Sequence, residues 1–142
     1  MSILKSYLFG ASNTPLLGQT IGQNLQDTVL KYPHSDAIVS KDQNYRSTYK
    51  EFWDQTTLAA KALLARGVGY GDRMGICATN RYEWTILQYA SSRIGVILVN
   101  INPAYRKAEL QYVINHSGMK LMVSTLNYKT SDYKKIFKQI ER

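Results

Sequence analysis

The sequence predicts an α/β fold, a mainly parallel sheet flanked by helices and preceded by a short β-hairpin. Three observations predict it. Apolar runs of strand length at residues 74–78, 96–101 and 120–124 alternate with segments of helical period, which implies parallel strands with helices on the sheet faces. The run Val96, Ile97, Leu98, Val99 does not alternate with polar residues, as expected of a strand buried on both sides. The helical segments also carry chemical marks at their ends, a capping pair at the start or a glycine at the stop.

The first helix opens at Thr20 with Gln23 three residues on, and places Leu25, Val29 and Leu30 inward. Residues 37–40 and 44–48 are two strand-like runs joined by a Lys-Asp-Gln turn, a hairpin. Thr48 and Glu51 open the second helix, with Phe52, Thr56, Ala59, Ala60 and Leu63 on one face and Gly67 as its stop. After strand 74–78, the pair Asn80 and Glu83 opens a third helix with Trp84, Leu87, Ser91 and Ile94 inward, ended by Gly95. Strand 96–101 runs into Asn102 and Pro103. Residues 106–117 form the next helix, with Leu110, Val113 and Ile114 on one face and Gly118 at the end. Strand 120–124 follows. A last helix at 131–142 sets Tyr133, Ile136, Phe137 and Ile140 at i, i+3, i+4, i+7.

Composition narrows the function classes. The 142 residues suit one domain or part of one, and hydrophobic residues at 44% with charged residues at 20% match a globular protein. No apolar run reaches the ~18 residues that span a bilayer. The net charge of +8 comes from 18 basic residues against 10 acidic ones. The basic residues are scattered, with only Lys134, Lys135 and Lys138 bunched on a helix, so a solvated basic surface is expected and no nucleic-acid partner. Cys77 is the single cysteine, which excludes an internal disulfide and a cysteine-based zinc site. Its apolar setting marks a buried, inert thiol. His34, in a loop, and His116, near a helix end, have no metal-ligand spacing. The first 20 residues hold no acidic residue but also no arginine, which only hints at a mitochondrial transit peptide, and they lack the apolar core of a secretory signal.

Most candidate motifs give way to a structural reading. Gly67, Gly69 and Gly71 lie where a helix ends and a strand begins, the reverse of the order that aims a helix N-terminus at a phosphate. Glu51 and Glu83 are capping partners, and Asp54 falls on the polar face of its helix, so no catalytic carboxylate pair is indicated. Ser91 and Ser92 lack a nucleophile elbow. The 11 tyrosines follow no RNA-binding motif; Tyr112 and Tyr133 are expected to pack on apolar helix faces. That leaves the strand end at Asn100, Asn102 and Tyr105, with Pro103 fixing the turn. Ligands of parallel sheets bind beyond the carboxyl ends of strands. The alternative is a loop that only shapes the fold.

The stretches STYKEFWDQTTLAAKALLARGVGYGDR and RIGVILVNINPAY carry a family resemblance. TYKEF at 48–52 resembles the T-Y-x-E-[LF] element, and 93–105 resembles the [KR]-x-G-[AG]-x-x-[VL]-x-[VIL]-[ND]-P element, of acyl-CoA synthetases in the adenylate-forming (AMP-binding) superfamily. TPLLGQTIGQNLQDTVLKYPHSDAIV is similar to the lead-in of the medium-chain branch, so the likeness runs from about Ser6 to Arg142. The resemblance implies that residues 1–142 are a partial AMP-binding domain, with the 93–105 stretch a central strand and turn. It implies fatty acid–CoA ligation, with ATP, Mg²⁺ and CoA used by the full-length family, fatty acid as substrate, and a mitochondrial location. The family's ATP loop, T-S-G-T-T-G-x-P-K-G, and its C-terminal lysine have no counterpart in residues 1–142. The expectation is therefore an inactive N-terminal fragment that self-associates, with no catalytic, cofactor or metal residue of its own. The alternative is a stand-alone interaction module.

The charge reading has a direct check. Random duplex DNA should cause no salt-sensitive change in fluorescence anisotropy with this chain; a steep salt-dependent affinity would restore nucleic acid as a partner.

Overall fold

The computed structural model describes residue 10 and residues 13–140. The amino-terminal targeting hint falls largely outside the described residues, as do the last two residues of the final helix predicted from sequence. The order is α1 (Ile21–Lys31), β1 (Asp36–Ser40), β2 (Tyr45–Thr48), α2 (Tyr49–Ala65), β3 (Arg73–Cys77), α3 (Tyr82–Arg93), β4 (Ile97–Ile101), α4 (Lys107–Ser117), β5 (Leu121–Ser124), β6 (Asn127–Tyr128), β7 (Ser131–Asp132) and α5 (Tyr133–Lys138). The short β6–β7 hairpin, turning at Lys129 with positive φ, was not expected from the sequence.

β3 is the middle of a three-stranded parallel sheet ordered β4-β3-β5. Arg73 to Cys77 pair in register with Ile97 to Ile101 on one side, and Met74 to Cys77 with Leu121 to Ser124 on the other. Among the described residues β4 pairs along one edge only, with β3, and Ile97 is 52% exposed. The non-alternating pattern still has its expected cause, because Leu98 packs on one face of the sheet and Val99 on the other.

Each face has its own core. Met74 packs with Ala60 and Leu63 of α2 and Ala90 of α3 on one face; Cys77 and Ile101 pack with Leu110 of α4 and Tyr133 of α5 on the other. A third cluster, Leu25, Val29 and Phe52, joins α1 and α2 and draws in Ile38 of the hairpin. Burying each such Leu, Ile or Phe contributes ~1.5–3 kcal/mol, whereas an exposed ion pair gives ~0–1 kcal/mol. Each of the five ion pairs among the described residues has at least one exposed partner, so apolar burial dominates stability. Leu30, expected inside, is 76% exposed, and Tyr112 stands in solvent, stacked on His116; the apolar faces of α1 and α4 are narrower than their sequences suggest. Gly75, with no side chain, admits Met119 and Met122, whose sulfurs would lie 2.5 and 2.8 Å from an added Cβ.

Local chemistry sets two helix starts as predicted. At both Thr20 and Thr48 the hydroxyl accepts the backbone N–H three residues on, and the Gln23 or Glu51 side chain accepts the cap's own N–H. α4 ends at Gly118, whose φ of +59° is the left-handed conformation suited to glycine. Two starts differ. Asn80 does not cap α3; Arg81 is the cap residue and makes no side-chain cap bond. Ser131 lies in β7, and Asp132 caps α5 by accepting the Lys135 N–H.

Arg93 of α3 joins three helices. Its guanidinium lies 3.7 Å from the Trp53 ring centroid and donates to Thr56 Oγ1 at 2.7 Å and Thr57 Oγ1 at 2.9 Å. Gly22 of α1 lies against its side chain. Partial burial lowers the Arg93 pKa, and the neighbouring hydroxyls and indole face keep the cation solvated by protein.

Thr48→Ala should destabilise the protein by about 1 kcal/mol in urea unfolding, because α2 loses a side-chain cap. An unchanged midpoint would show that the hairpin alone fixes this helix start.

Candidate functional site

The crossovers place the site. From β3 the chain leaves to α3 on one face, whereas β4 leaves to α4 on the other and β5 continues to α5 on that same opposite face. The chain thus diverges above β3 from the paths above both neighbours, and such divergence opens a crevice at the carboxyl ends of parallel strands. A cleft of about 600 Å³ lies between the β3 and β5 ends, and a shallower one of about 430 Å³ between the β3 and β4 ends. Ala78, Thr79 and Trp84 line both, so they form one surface straddling the β3 terminus.

The apolar wall of the larger cleft comes from Ile76, Trp84, Leu87, Val123 and Leu126. Its polar rim holds Arg81 and Glu83, joined by Nη2–Oε1 at 3.0 Å and Nε–Oε2 at 3.2 Å. Partial burial pushes the Glu83 carboxyl up in pKa, but hydrogen bonds from Arg81 and Gln43 outweigh it and leave the value below that of an ordinary glutamate. The wall of the smaller cleft is Asn100, Ile101, Asn102 and Pro103.

Gln43 explains why α3 starts without its own cap. From the β1–β2 turn, its Oε1 accepts the Tyr82 N–H at 2.8 Å and its Nε2 donates to Glu83 at 2.9 Å. The Tyr45 and Tyr82 rings stack beside it at 3.6 Å. A hairpin side chain thus supplies the cap and aligns the rim. No local sequence signal could reveal Gln43, which lies 39 residues before the amide it caps.

The structure brings Asn100 and Asn102 to the cleft as expected, while Tyr105 is part-buried against the α4–α5 core and does not line it. Asn102 Oδ1 accepts the Ala104 N–H at 2.9 Å, a local turn that only a short polar side chain makes. The Gly67–Asp72 segment is a helix stop and turn. Gly67 has φ +75°, and Asp72 accepts from Gly69 N–H at 2.9 Å and pairs with Lys120 at 3.1 Å. Ser91 is buried and bonded to the Gln88 carbonyl. Cys77 is fully buried, and burial raises its pKa, so the thiol stays protonated. No group of three His, Cys, Asp or Glu side chains among the described residues converges to hold a metal ion.

These features define a parallel α/β fold with a cleft at a topological switch point. The sequence profile of the AMP-binding enzyme family matches residues 25–141, and the chain belongs to that family. It is 38% identical over 135 residues to the mitochondrial medium-chain acyl-CoA ligase ACSF2 of Macaca fascicularis, covering 95% of this chain and 22% of that protein. The Danio rerio ACSF2 is 36% identical over 139 residues, covering 98% of this chain and 23% of its own length. A fatty acyl CoA synthetase of Mycobacterium tuberculosis superposes with TM-score 0.72 at 27% identity, over 74% of this chain and 21% of that one. The chain thus spans under a quarter of the length of these relatives.

The Glu83 carboxyl has a depressed folded pKa, so its stabilising contribution is present above the unfolded carboxylate value and lost as pH falls through the folded one. Glu83→Gln should therefore destabilise modestly at neutral pH, by about 1 kcal/mol or less given its exposure. That difference should shrink when denaturation is repeated in acid. A difference independent of pH would remove the charge from the explanation.

Proposed function

We propose that residues 1–142 form part of a fatty acid–CoA ligase. The observation that carries this reading is the 38% identity over 95% of the chain with a medium-chain acyl-CoA ligase. In such a reaction a carboxylate oxygen attacks the α-phosphorus of ATP and pyrophosphate leaves. The CoA sulfur then attacks the acyl carbonyl and AMP leaves. The part assigned to this chain is binding and shaping. The switch-point cleft gives an apolar wall and a fixed polar rim, and no residue of 1–142 is assigned to catalysis.

The catalytic electrostatics lie elsewhere in this proposal. Residues 1–142 contain no Ser/Thr/Gly-rich loop of the family type. The glycines at 67–71 face a helix C-terminus, and their nearby carboxylate Asp72 is held by Lys120. An anionic triphosphate gains nothing from that geometry. Among the described residues no group of three His, Cys, Asp or Glu side chains converges, and no Mg²⁺ ligand is assigned to residues 1–142 in this proposal. The mitochondrial location of the named relatives is carried to this protein on the same footing.

A second reading is a non-catalytic module that binds another chain or a second copy of itself. It is favoured by the outer edges of β4 and β5, which have no strand partner among the described residues. Unpaired edges present free N–H and C=O groups to any incoming strand.

Intact-mass spectrometry of the native gene product, with fatty-acid-dependent ATP–pyrophosphate exchange on the same preparation, separates the two. Peptides continuing past Arg142 together with exchange support the ligase reading. A mass equal to the 142-residue chain, no exchange, and a defined dimer in sedimentation support the module. Exchange by the isolated 142 residues would overturn the assignment of catalysis to other residues.

A further inference from the structure

Beyond the last β4 pairing, at Ile101, Tyr105 packs on the α4–α5 core, but few hydrogen bonds among the described residues tie the cleft wall to the rest of the protein. Pro103 has no N–H to donate. The Asn102 Oδ1 bond to Ala104 N–H and the Tyr105 N–H bond to the Asn102 carbonyl are confined to the turn. They fix its shape and not its position over the sheet. The Cys77 thiol meets the Asn102 carbonyl only at 4.0 Å, a weak sulfur contact. The tie from the core comes from 30 residues later in the chain. Tyr133, at the start of α5, is fully buried and its hydroxyl donates to the Pro103 carbonyl. Its ring is held in the same core as Cys77, Ile101 and Leu110, with Phe137 stacked on it at 5.8 Å. Beside it Arg106, just past the turn, donates to Ser131 Oγ at 2.8 Å and Thr130 Oγ1 at 2.9 Å.

We propose that Tyr133 is a positioning residue for the cleft, its buried hydroxyl holding the Pro103 carbonyl so that Asn102 is presented to the ligand beside Asn100, which the β3–β4 ladder already fixes. The rigid ring transmits the position of the α5 core to the end of β4, and the Arg106 contacts guide the turn from the solvent side. Burial raises the hydroxyl's pKa, so it keeps its proton and remains a donor across the physiological range. As a role in ligation, this assignment rests on the ligase reading above; as a mechanical tie, it does not.

Tyr133→Phe tests it, because the ring and its packing are kept and only the hydroxyl is lost. Tyr112→Phe, at an exposed tyrosine, is the control. Hydrogen exchange should quicken about three- to tenfold at the Ala104 and Tyr105 amides, the range one hydrogen bond sets, with β3 amides and the control unchanged. In the native gene product, the KM for one of fatty acid, ATP or CoA should rise by a similar factor with kcat retained, the mark of lost uniform binding. Unchanged exchange in the turn, equal acceleration in β3, or a fall in kcat with every KM unaltered would overturn the proposal. A wild-type protein that ligates no fatty acid would sink the ligase reading alone, since amide exchange still decides whether Tyr133 holds the turn.

Discussion

The rest of the structure depends on β3 being paired in parallel on both edges. A parallel neighbour cannot be reached by a tight turn, so each pairing requires a crossover, and here each crossover contains a helix. Because β4 and β5 pair on opposite sides of β3, the chain crosses from one side of the sheet to the other, and α3 and α4 cover opposite faces. The buried Met74, Ile76 and Cys77 are the energetic consequence, and the open crevice at the strand ends is the geometric one. The same pairing makes the core and the cleft.

Side chains from distant parts of the chain then hold the two walls of that crevice. Gln43 reaches from the hairpin to the start of α3 and aligns Arg81 and Glu83; Tyr133 reaches from α5 to the turn after β4. Both act at main-chain groups that the regular ladder and helix leave unpaired. Such groups are costly when left without a partner, which makes one polar side chain at each place worth more than a surface ion pair. Arg93 plays the comparable part behind the sheet, where hydroxyls and the Trp53 face accept its charge while it joins α1, α2 and α3.

Family membership and this geometry concern different parts of the question. The profile match and the 38% identity identify the fold's lineage. Among the described residues the cleft presents an apolar wall that includes Trp84, a paired arginine and glutamate on the rim, and asparagines at a proline-fixed turn. Neither the buried Cys77 nor the bonded Ser91 is set up to attack a substrate.

The sequence by itself determined the elements whose causes are local. Thr20 with Gln23 and Thr48 with Glu51 are complete capping boxes within four residues, Gly118 stops α4 because its backbone turns left-handed, and alternating apolar runs make parallel pairing the only economical outcome. The family motifs at 48–52 and 93–105 were legible in the same way, as was the strand end that carries Asn100 and Asn102. Tertiary structure alone decided which strand lies in the middle, because apolarity shows that a strand is buried and not which neighbours bury it. It also decided the true start of α3 at Tyr82 with Arg81 as its cap residue, the exposure of Leu30 and Tyr112, and the roles of Gln43 and Tyr133. Their partners lie 30 or more residues away, and only the packed sheet brings them within hydrogen-bonding distance.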